Sequence, residues 1–207
     1  METFQVAEGQ DFNFFAAKIP QWKGWLASLV MDAEGNAVGT DGTSKTVGND
    51  TDLQLLLSLR AKADVIVTTG KTARAENYKA SRFAPIAFIT RHPESLATLP
   101  AVVNPGAFEN IFLTSSSGDS SMFKGLDKEL SERGFESVLF EGGASSLTEL
   151  LTSELPVRLV LSIANVPQAY QPSPRAILSK TLPTIGELKL EGQFRIANNL
   201  VLLWHKP

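Results

Sequence analysis

The sequence predicts an α/β fold in which a largely parallel sheet carries helices on both faces and an antiparallel hairpin closes the chain. The first observation is that short apolar segments alternate with amphipathic ones, the order that builds parallel sheets. The second is the end of the chain, 193–204, where two strand patterns meet at Asn198-Asn199, a favourable hairpin turn. The third is size, because 207 residues with 43% hydrophobic content suit one domain with a sizeable core.

The first strand is predicted over Trp25 to Met31, a short apolar run bounded by Gly and Asp. A loop rich in Gly, Asp, Thr and Ser follows from Asp32 to Asn49. A loop of this length inside a compact domain is usually functional or mobile. Residues 1–24, which mix aromatic and polar residues, are interpreted as an irregular arm, and 25–207 as one domain.

The clearest helix is predicted from Asp50 to Ala63. Asn49 or Asp50 can cap it, and Leu53, Leu56 and Leu57 fall at i, i+3 and i+4. Leu55 and Leu59 widen this apolar stripe, which indicates burial over a broad arc.

The remaining predicted strands are short and apolar: 64–68, 85–90, 110–114, 137–140 and 157–163. Further helices are predicted over 121–133, where Met122, Leu126 and Leu130 share a face, and directly after Gly143. A polar turn or helix is predicted over 71–78 and a Ser-rich loop over 115–121.

Composition excludes several classes of protein. With 19 basic and 22 acidic residues, the formal charge of −3 offers no basic excess to bind nucleic acid or an anionic membrane. No apolar run approaches the roughly 18 residues of a membrane span. The absence of Cys excludes disulfides and thiolate metal sites, and His92 and His205 are too few for a His-rich metal cluster. We expect a cytoplasmic protein without a metal.

The sharpest motif is Glu141-Gly142-Gly143-Ala144-Ser145-Ser146, which follows a predicted strand. Two glycines let the backbone approach a phosphate, and the next helix begins with free N–H groups and a positive dipole end. Ser145 and Ser146 can add hydroxyl donors. The alternative is an ordinary strand–helix turn in which Ser146 and Glu149 form a capping box.

A second candidate is Thr69-Gly70-Lys71-Thr72. A nucleotide-triphosphate P-loop would need Gly five residues before Gly70, where this chain has Val65, so that motif is rejected. The remaining loop of small residues can line a cofactor or simply turn the chain.

Three further positions each have two interpretations. Arg91, next to Thr90 at a strand end, can bind the 2′-phosphate of NADP or be a solvated surface residue. Asp32, directly after a strand, can act as an acid or stabilise a turn. The 32–49 loop, with Ser44 and Thr46, can hold a phosphorylated substrate or be merely solvated.

The order of these segments resembles the reductase family of riboflavin biosynthesis. The resemblance rests on Leu59 to Val67, Gly70 to Thr72 and Arg74 to Tyr78, which match that family's Leu-Arg-Ala helix end, Gly-x-Thr loop and Arg-Ala-Glu segment. Glu141-Gly142-Gly143 and the Leu-bearing helix after it match a second hallmark. Ser28-Leu29 with Asp32, and Asp41-Gly42 with Ser44, are similar to the family's opening strand and loop. The match runs in order over roughly 25–165.

The resemblance implies a dihydrofolate-reductase-like fold, a homodimer, and use of NADPH to reduce the ribose of a phosphoribosylamino-pyrimidine to a ribityl chain. It implies cofactor contacts at Thr46, Thr72, Glu76, Gly142 and Gly143. It further implies substrate contacts at Ser44 and Arg60, with Glu141 beside the reacting centre.

The chain departs from the family pattern in three places. Two extra residues precede Asp32, Lys71 interrupts the small-residue loop, and Pro156 to Leu159 replaces an acidic segment. These departures keep other functions open: a catalytically diverged nucleotide-binding protein, a reductase of a pterin-like substrate, or a purely structural α/β protein. The zinc deaminase domain that precedes many family members is not expected, because 24 leading residues are too few for it and the chain has no Cys.

The sequence thus predicts a single NADPH-dependent reductase domain for a small phosphorylated substrate. We expect Asp32 and Glu141 as catalytic candidates, because a proton must accompany the transferred hydride. The predicted cofactor contacts are Thr46, Gly70, Thr72, Glu76, Thr90, Arg91, Gly142, Gly143 and Ser145.

Overall fold

The computed structural model of the chain describes residues 2–4, 11–114, 122–167, 169, 173–182 and 188–206. The Ser-rich loop predicted over 115–121 lies outside these residues. Among the described helices, none has both the length and the apolar character needed to cross a membrane.

The described strands form one nine-stranded sheet in the order β1-β8-β9-β7-β2-β6-β3-β4-β5. The pairs are parallel, except that β9 runs antiparallel to both β7 and β8. The strands are β1 (Glu2–Phe4), β2 (Gly24–Met31), β3 (Val65–Thr69), β4 (Ile86–Ile89), β5 (Ile111–Leu113), β6 (Ser137–Phe140), β7 (Val157–Ile163), β8 (Lys189–Ile196) and β9 (Asn199–Lys206). The prediction of a mostly parallel sheet closed by an antiparallel hairpin is therefore confirmed.

The described helices pack on both faces of this sheet, as predicted. They are α1 (Asp11–Lys18), α2 (Asp50–Arg60), α3 (Gly70–Ala75), α4 (Pro100–Val103), α5 (Met122–Glu132), α6 (Ala144–Thr152) and α7 (Pro174–Thr181), with a short 3₁₀ turn at Pro93–Leu96. The strands present alternate residues to the two faces. Val65 and Val67 join the core under α5, α6 and α7, whereas Ile66 joins the core under α1 and α2.

Within the predicted arm over 1–24, the described residues 11–22 are not irregular. Residues 11–18 form α1, and Phe15, Ile19 and Trp22 are buried in the core beneath α2. The indole nitrogen of Trp22 donates to the carbonyl of Val138, 3.3 Å away, which ties this segment to β6. The prediction failed because Phe residues occupy neighbouring positions, so the helical period is hidden.

The predicted cap of α2 is confirmed, but its predicted buried face is shifted. Asn49 is the N-cap, and its side-chain oxygen accepts the N–H of Asp52 at 3.0 Å. Leu55 and Leu59 are buried, whereas Leu53 is 48% exposed. The stripe of Leu residues covers more than half of the helix circumference, so hydrophobicity alone did not identify the face that packs on the sheet.

Candidate active site

A cavity of about 650 Å³ opens beyond the carboxyl ends of β2, β3 and β6, where ligands bind in open α/β sheets. One side is formed by the end of β2 and the loop after it, and another by α3. The turn from β6 into α6 forms a third part of the wall, from Glu141 to Ser146. The cavity thus lies among the segments that the sequence analysis selected.

The β6–α6 turn brings backbone into the cavity because it contains Gly142 and Gly143. A Cβ atom on Gly142 would lie 2.3 Å from the ring of Phe140, so glycine is required there for steric reasons. Gly143 is the N-cap of α6 and provides no side-chain cap, and the Ser146 hydroxyl donates instead to the carbonyl of Gly143 at 3.1 Å. The first-turn amides of α6 therefore have no side-chain cap, and the capping-box alternative with Glu149 is excluded.

Thr72 links α3 to this glycine turn. Its hydroxyl oxygen accepts the N–H of Gly143 at 3.0 Å, and its own N–H donates to Thr69, the N-cap of α3, at 3.1 Å. Because Thr72 bonds the turn directly, α3 and the start of α6 are held together at the edge of the cavity.

The loop between β2 and α2 is tied to α3 by one carboxylate. The N–H of Ser44 donates to Oε1 of Glu76 at 2.6 Å. Within the loop, Asp41 accepts the Thr43 hydroxyl at 2.7 Å and the Thr46 hydroxyl at 3.0 Å. The Thr43 hydroxyl is the main cause of the lowered pKa of Asp41. This long segment therefore has a defined conformation where it borders the cavity.

Glu141 is held by a buried ion pair with Arg60. The guanidinium donates from Nε to Oε1 at 2.8 Å and from Nη2 to Oε2 at 2.5 Å, so the pair is bidentate. Only 5% of the Glu141 side chain and 17% of the Arg60 side chain are exposed. Tyr78 donates its hydroxyl to Oε2 of Glu141 at 2.6 Å. The carboxylate thus accepts three short hydrogen bonds at the wall of the cavity.

The charges in this cluster reinforce one another. Burial, together with the charge of Glu141, holds the pKa of Tyr78 well above its ordinary value, so its hydroxyl stays a donor. Burial alone would lower the pKa of Arg60, but the adjacent carboxylate raises it above its ordinary value. The cluster is therefore a matched pair of opposite charges with a neutral phenol.

A second carboxyl, that of Asp52, lines the cavity from the first turn of α2. Burial raises its pKa from 3.8 to about 6, although a hydrogen bond with the Ser162 side chain lowers it. Sequence analysis did not identify Asp52 or Tyr78 as site residues. Asp52 is indistinguishable in sequence from an ordinary acidic residue at a helix start, because its surroundings come from β7 and β9.

The predicted site residues fall into two groups. Those that line the cavity are Ser44, Thr72, Glu76, Glu141, Gly142, Gly143 and Ser145. Arg60 is bonded to the lining residue Glu141, Thr46 is bonded to Asp41 within the loop that borders the cavity, and Gly70 packs against Thr90. Thr90 and Arg91 are not among the described lining residues, and Arg91 is exposed.

Asp32 has the contacts of a turn residue. Its carboxylate accepts the backbone N–H and the side-chain amide of Asn36, each at 2.8 Å. Partial burial works against ionisation, but the bonds from Asn36 lower the pKa of Asp32 overall. Asp32 is not among the described cavity-lining residues, so the geometry favours the turn interpretation over a role as an acid.

Within the described parts of the chain, no group of three or more His, Cys, Asp or Glu side chains is placed to hold a metal ion. The fold and the cavity define an α/β protein that binds a small ligand at the carboxyl edge of a parallel sheet. Its glycine turn and uncapped helix start suit a phosphate group.

Comparison with family models places the chain more narrowly. The model of the RibD C-terminal domain matches residues 27–167, and the chain belongs to this family. The family predicted from the sequence is thereby confirmed. No curated protein sequence matches this chain.

Solved structures share the fold. A pyrimidine reductase-like protein from Corynebacterium diphtheriae has a TM-score of 0.64 at 20% identity, with 95% of this chain and 98% of that chain covered. A deaminase/reductase from Thermotoga maritima gives 0.63 at 13% identity, with 89% of this chain covered. This chain spans 57% of the Thermotoga protein.

Dihydrofolate reductase from Enterococcus faecalis, in a complex with NADP(H) and RAB-propyl, has a TM-score of 0.50 at 12% identity. The match covers 89% of this chain and 96% of that chain. The dihydrofolate-reductase-like fold is therefore confirmed.

Proposed function

We propose that this chain is an NADPH-dependent reductase of a phosphoribosylamino-pyrimidine or a closely related heterocycle. The observation that carries the proposal is one cavity in which the uncapped start of α6 lies beside the ion-paired carboxylate of Glu141. The first feature suits the phosphates of a dinucleotide, and the second suits the polar groups of a substrate. Membership of the RibD C-terminal family supports both assignments.

The residues present fit a dinucleotide cofactor. The amides of Ala144 and Ser145, in the uncapped first turn of α6, would bind the pyrophosphate. Thr72 would hold the turn in place through the N–H of Gly143. When bound, a reduced nicotinamide supplies a hydride to an electron-poor carbon.

Other cofactor contacts are proposed from the positions around the cavity. Glu76 and Thr46 keep the 39–46 loop folded against α3, where it would cover the cofactor. Gly70 and Thr90 pack together at the ends of β3 and β4. Thr90 or Arg91, at that end of the sheet, would bind the 2′-phosphate that distinguishes NADPH from NADH.

On the substrate side, we propose Ser44, Arg60 and Glu141. Ser44 lines the cavity at the border of the loop. Glu141 faces the cavity with its carboxylate orientation fixed by Arg60 and Tyr78, so it would orient a hydrogen-bond donor of the substrate beside the reacting carbon. Arg60 would act mainly through Glu141.

The test compares binding of NADPH and NADH by calorimetry and follows NADPH oxidation with the phosphoribosylamino-pyrimidine. We expect NADPH to bind at least about tenfold more tightly than NADH, and Arg91→Ala to remove most of that difference. Arg133→Ala, on an exposed i,i+4 pair with Glu129, is the matched control and should change neither affinity. Equal affinity for both dinucleotides would contradict the 2′-phosphate assignment.

The turn geometry of Asp32 favours keeping one alternative, a nucleotide-binding protein of the same fold that has lost the chemistry. Tight NADPH binding without oxidation by any pyrimidine or pterin substrate would select that alternative. We also propose a cytoplasmic homodimer, which light scattering on the purified protein tests for its oligomeric state.

A further inference from the structure

The carboxyl of Asp52 is built into a polar network that no role in binding phosphate explains. The network begins at Asn49, whose side-chain oxygen accepts the N–H of Asp52 at 3.0 Å. The amide of Asn49 donates to the side-chain oxygen of Asn199 at 2.7 Å, and that of Asn199 donates to the Ser162 hydroxyl oxygen at 3.3 Å. Asn199 and Ser162 are 1% and 2% exposed, so water does not replace these partners.

The direction of these hydrogen bonds fixes what Ser162 does. Because its oxygen accepts the bond from Asn199, its own proton is available to the carboxyl of Asp52, whose pKa the Ser162 side chain lowers. Asp52 lines the cavity that would hold the substrate.

The other carboxylates at the cavity have different partners. Glu141 accepts three hydrogen bonds, two of them from a guanidinium, so both of its oxygens already have donors in the protein. Glu76 accepts the N–H of Ser44 at 2.6 Å and thereby holds the loop between β2 and α2. Glu149 lies in α6, beyond the glycine turn. Asp32 is not among the described lining residues and is bonded to Asn36.

We propose that Asp52 is the proton donor of the reduction and that Ser162 is its positioning residue. This inference rests on the proposed function, because a hydride reduction of a C=N or C=O bond requires one proton for each hydride. The substrate class is sharpened accordingly: the reacting form is an open-chain imine or carbonyl whose nitrogen or oxygen lies within hydrogen-bond distance of Asp52.

With an imine substrate, one hydride and one proton add across the C=N bond. The hydride from the reduced nicotinamide forms the new C–H bond at the imine carbon, and the C=N π electrons move to nitrogen. The O–H bond of the Asp52 carboxyl breaks and an N–H bond forms. The products are a secondary amine, the oxidised nicotinamide and the Asp52 carboxylate, which takes a proton from water before the next turnover.

The electrostatic surroundings of Asp52 agree with this role. The titratable groups that line the same cavity are Lys71, Glu76, Tyr78, Glu141 and Glu149, and none of them is a cause of its shifted pKa. On its own helix, Asp50 is exposed to solvent. The start of α2 favours a carboxylate, yet burial outweighs this effect and raises the pKa of Asp52 to about 6. About half of the Asp52 carboxyls are therefore protonated at pH 6, and roughly a tenth still are at pH 7.

The test follows kcat with saturating NADPH from pH 5 to 9 in the wild type, Asp52→Asn, Ser162→Ala and the matched control Asp50→Asn. We expect kcat of the wild type to fall as pH rises through the pKa of Asp52. Asp52→Asn should lose at least about 100-fold in kcat and show no such fall, while binding NADPH as the wild type does. Asp50→Asn should match the wild type.

Ser162→Ala provides a readout that a merely structural residue would not change. Its hydroxyl lowers the pKa of Asp52, so removing it should move the fall in kcat to higher pH. A carbon-13 NMR titration of the Asp carboxyls, without cofactor or substrate, should show one resonance near pH 6 that is absent from Asp52→Asn.

The outcomes separate the two proposals. Oxidation of NADPH by Asp52→Asn within about threefold of the wild type, with the same pH profile, overturns the role of Asp52 and leaves the proposed function standing. Absence of NADPH oxidation by the wild type overturns both. A carboxyl of Asp52 that titrates near its usual value of 3.8 also overturns the role of Asp52.

Discussion

Two of the carboxyl groups that line the cavity, those of Glu141 and Asp52, have opposite surroundings. Glu141 lies beside a guanidinium and a phenol, and both of its oxygens accept donors. Asp52 is bonded to a neutral hydroxyl at the end of a network of amide side chains. One site stabilises a negative charge and the other opposes it.

Burial alone therefore does not decide whether an acid is ionised or protonated. Both side chains are withdrawn from bulk water, but only Glu141 has a cation in contact. When two acids in one site have environments that separate their titrations, one can hold an ion while the other carries a proton.

Arg60→Ala removes the cation and leaves the Glu141 carboxylate buried without its counter-charge. Breaking one partner of a buried pair costs about 3–5 kcal/mol of the free energy of unfolding, which urea denaturation measures. The control is Arg133→Ala, whose pair with Glu129 is exposed and should contribute at most about 0.5 kcal/mol. Equal losses for the two variants would contradict the description of Arg60–Glu141 as a buried pair.

Tyr78→Phe keeps the ring but removes the hydroxyl that bonds Oε2 of Glu141 at 2.6 Å. A hydrogen bond to a charged group contributes about 1.5–3 kcal/mol, and we expect a loss of that size in urea denaturation. The ring of Tyr78 also lies 5.5 Å from the Arg60 guanidinium, a contact that Phe retains. A loss below about 0.5 kcal/mol would show that the carboxylate does not depend on the phenol.

Unlike the two substitutions above, Asp52→Asn should raise the free energy of unfolding at pH 8. The folded chain holds a proton on Asp52 between pH 3.8 and about 6, where the unfolded chain does not, so stability falls as pH rises through this window. The full shift corresponds to about 3 kcal/mol, and the open side of the carboxyl reduces this to an expected gain of about 1–2 kcal/mol.

The gain from Asp52→Asn should disappear when the unfolding measurement is repeated at pH 4, because the carboxyl is then protonated in the fold. The same gain at both pH values would indicate that the amide stabilises the protein by packing rather than by removing a buried charge.

Asp50→Asn completes the contrast, because Asp50 and Asp52 lie in the same helical turn. Asp50 is exposed and gains from the positive end of the helix, so its loss should cost only about 0.3–1 kcal/mol at low salt. The effect should shrink as salt rises. Stabilisation by Asp50→Asn would show that a negative charge anywhere in the first turn of α2 destabilises the protein, and not only the charge of Asp52.

The parts of the fold with local signals could be predicted from sequence. The apolar strands, the Asn49 cap of α2 and the glycine turn after β6 are all found where the sequence placed them. α1 was missed because consecutive aromatics hide its period. α7 was missed because the sequence around it shows no clear helical period of apolar residues.

The candidate site could be predicted only in part, since its contacts join distant segments. Arg60 and Glu141 were each named through the family resemblance, but their bond spans 81 positions and has no sequence signal. Tyr78 and Asp52 differ from surface residues only by what other elements place around them. Asp52 depends on Ser162 and Asn199, which reach it from β7 and β9.

The single helix α2 carries both Asp52 and Arg60. Asp52 lies in its first turn and Arg60 at its last residue, about 12 Å apart along the axis at 1.5 Å per residue. α1 packs on the same side of the sheet, where Phe15 is buried in one core cluster with Leu55 and Leu59 of α2. One residue added or deleted between Asp52 and Arg60 would rotate these two side chains by about 100° relative to each other about the helix axis. A change in the length of this helix would therefore disturb both groups at once, whereas a substitution at Asp52 or Arg60 disturbs one of them.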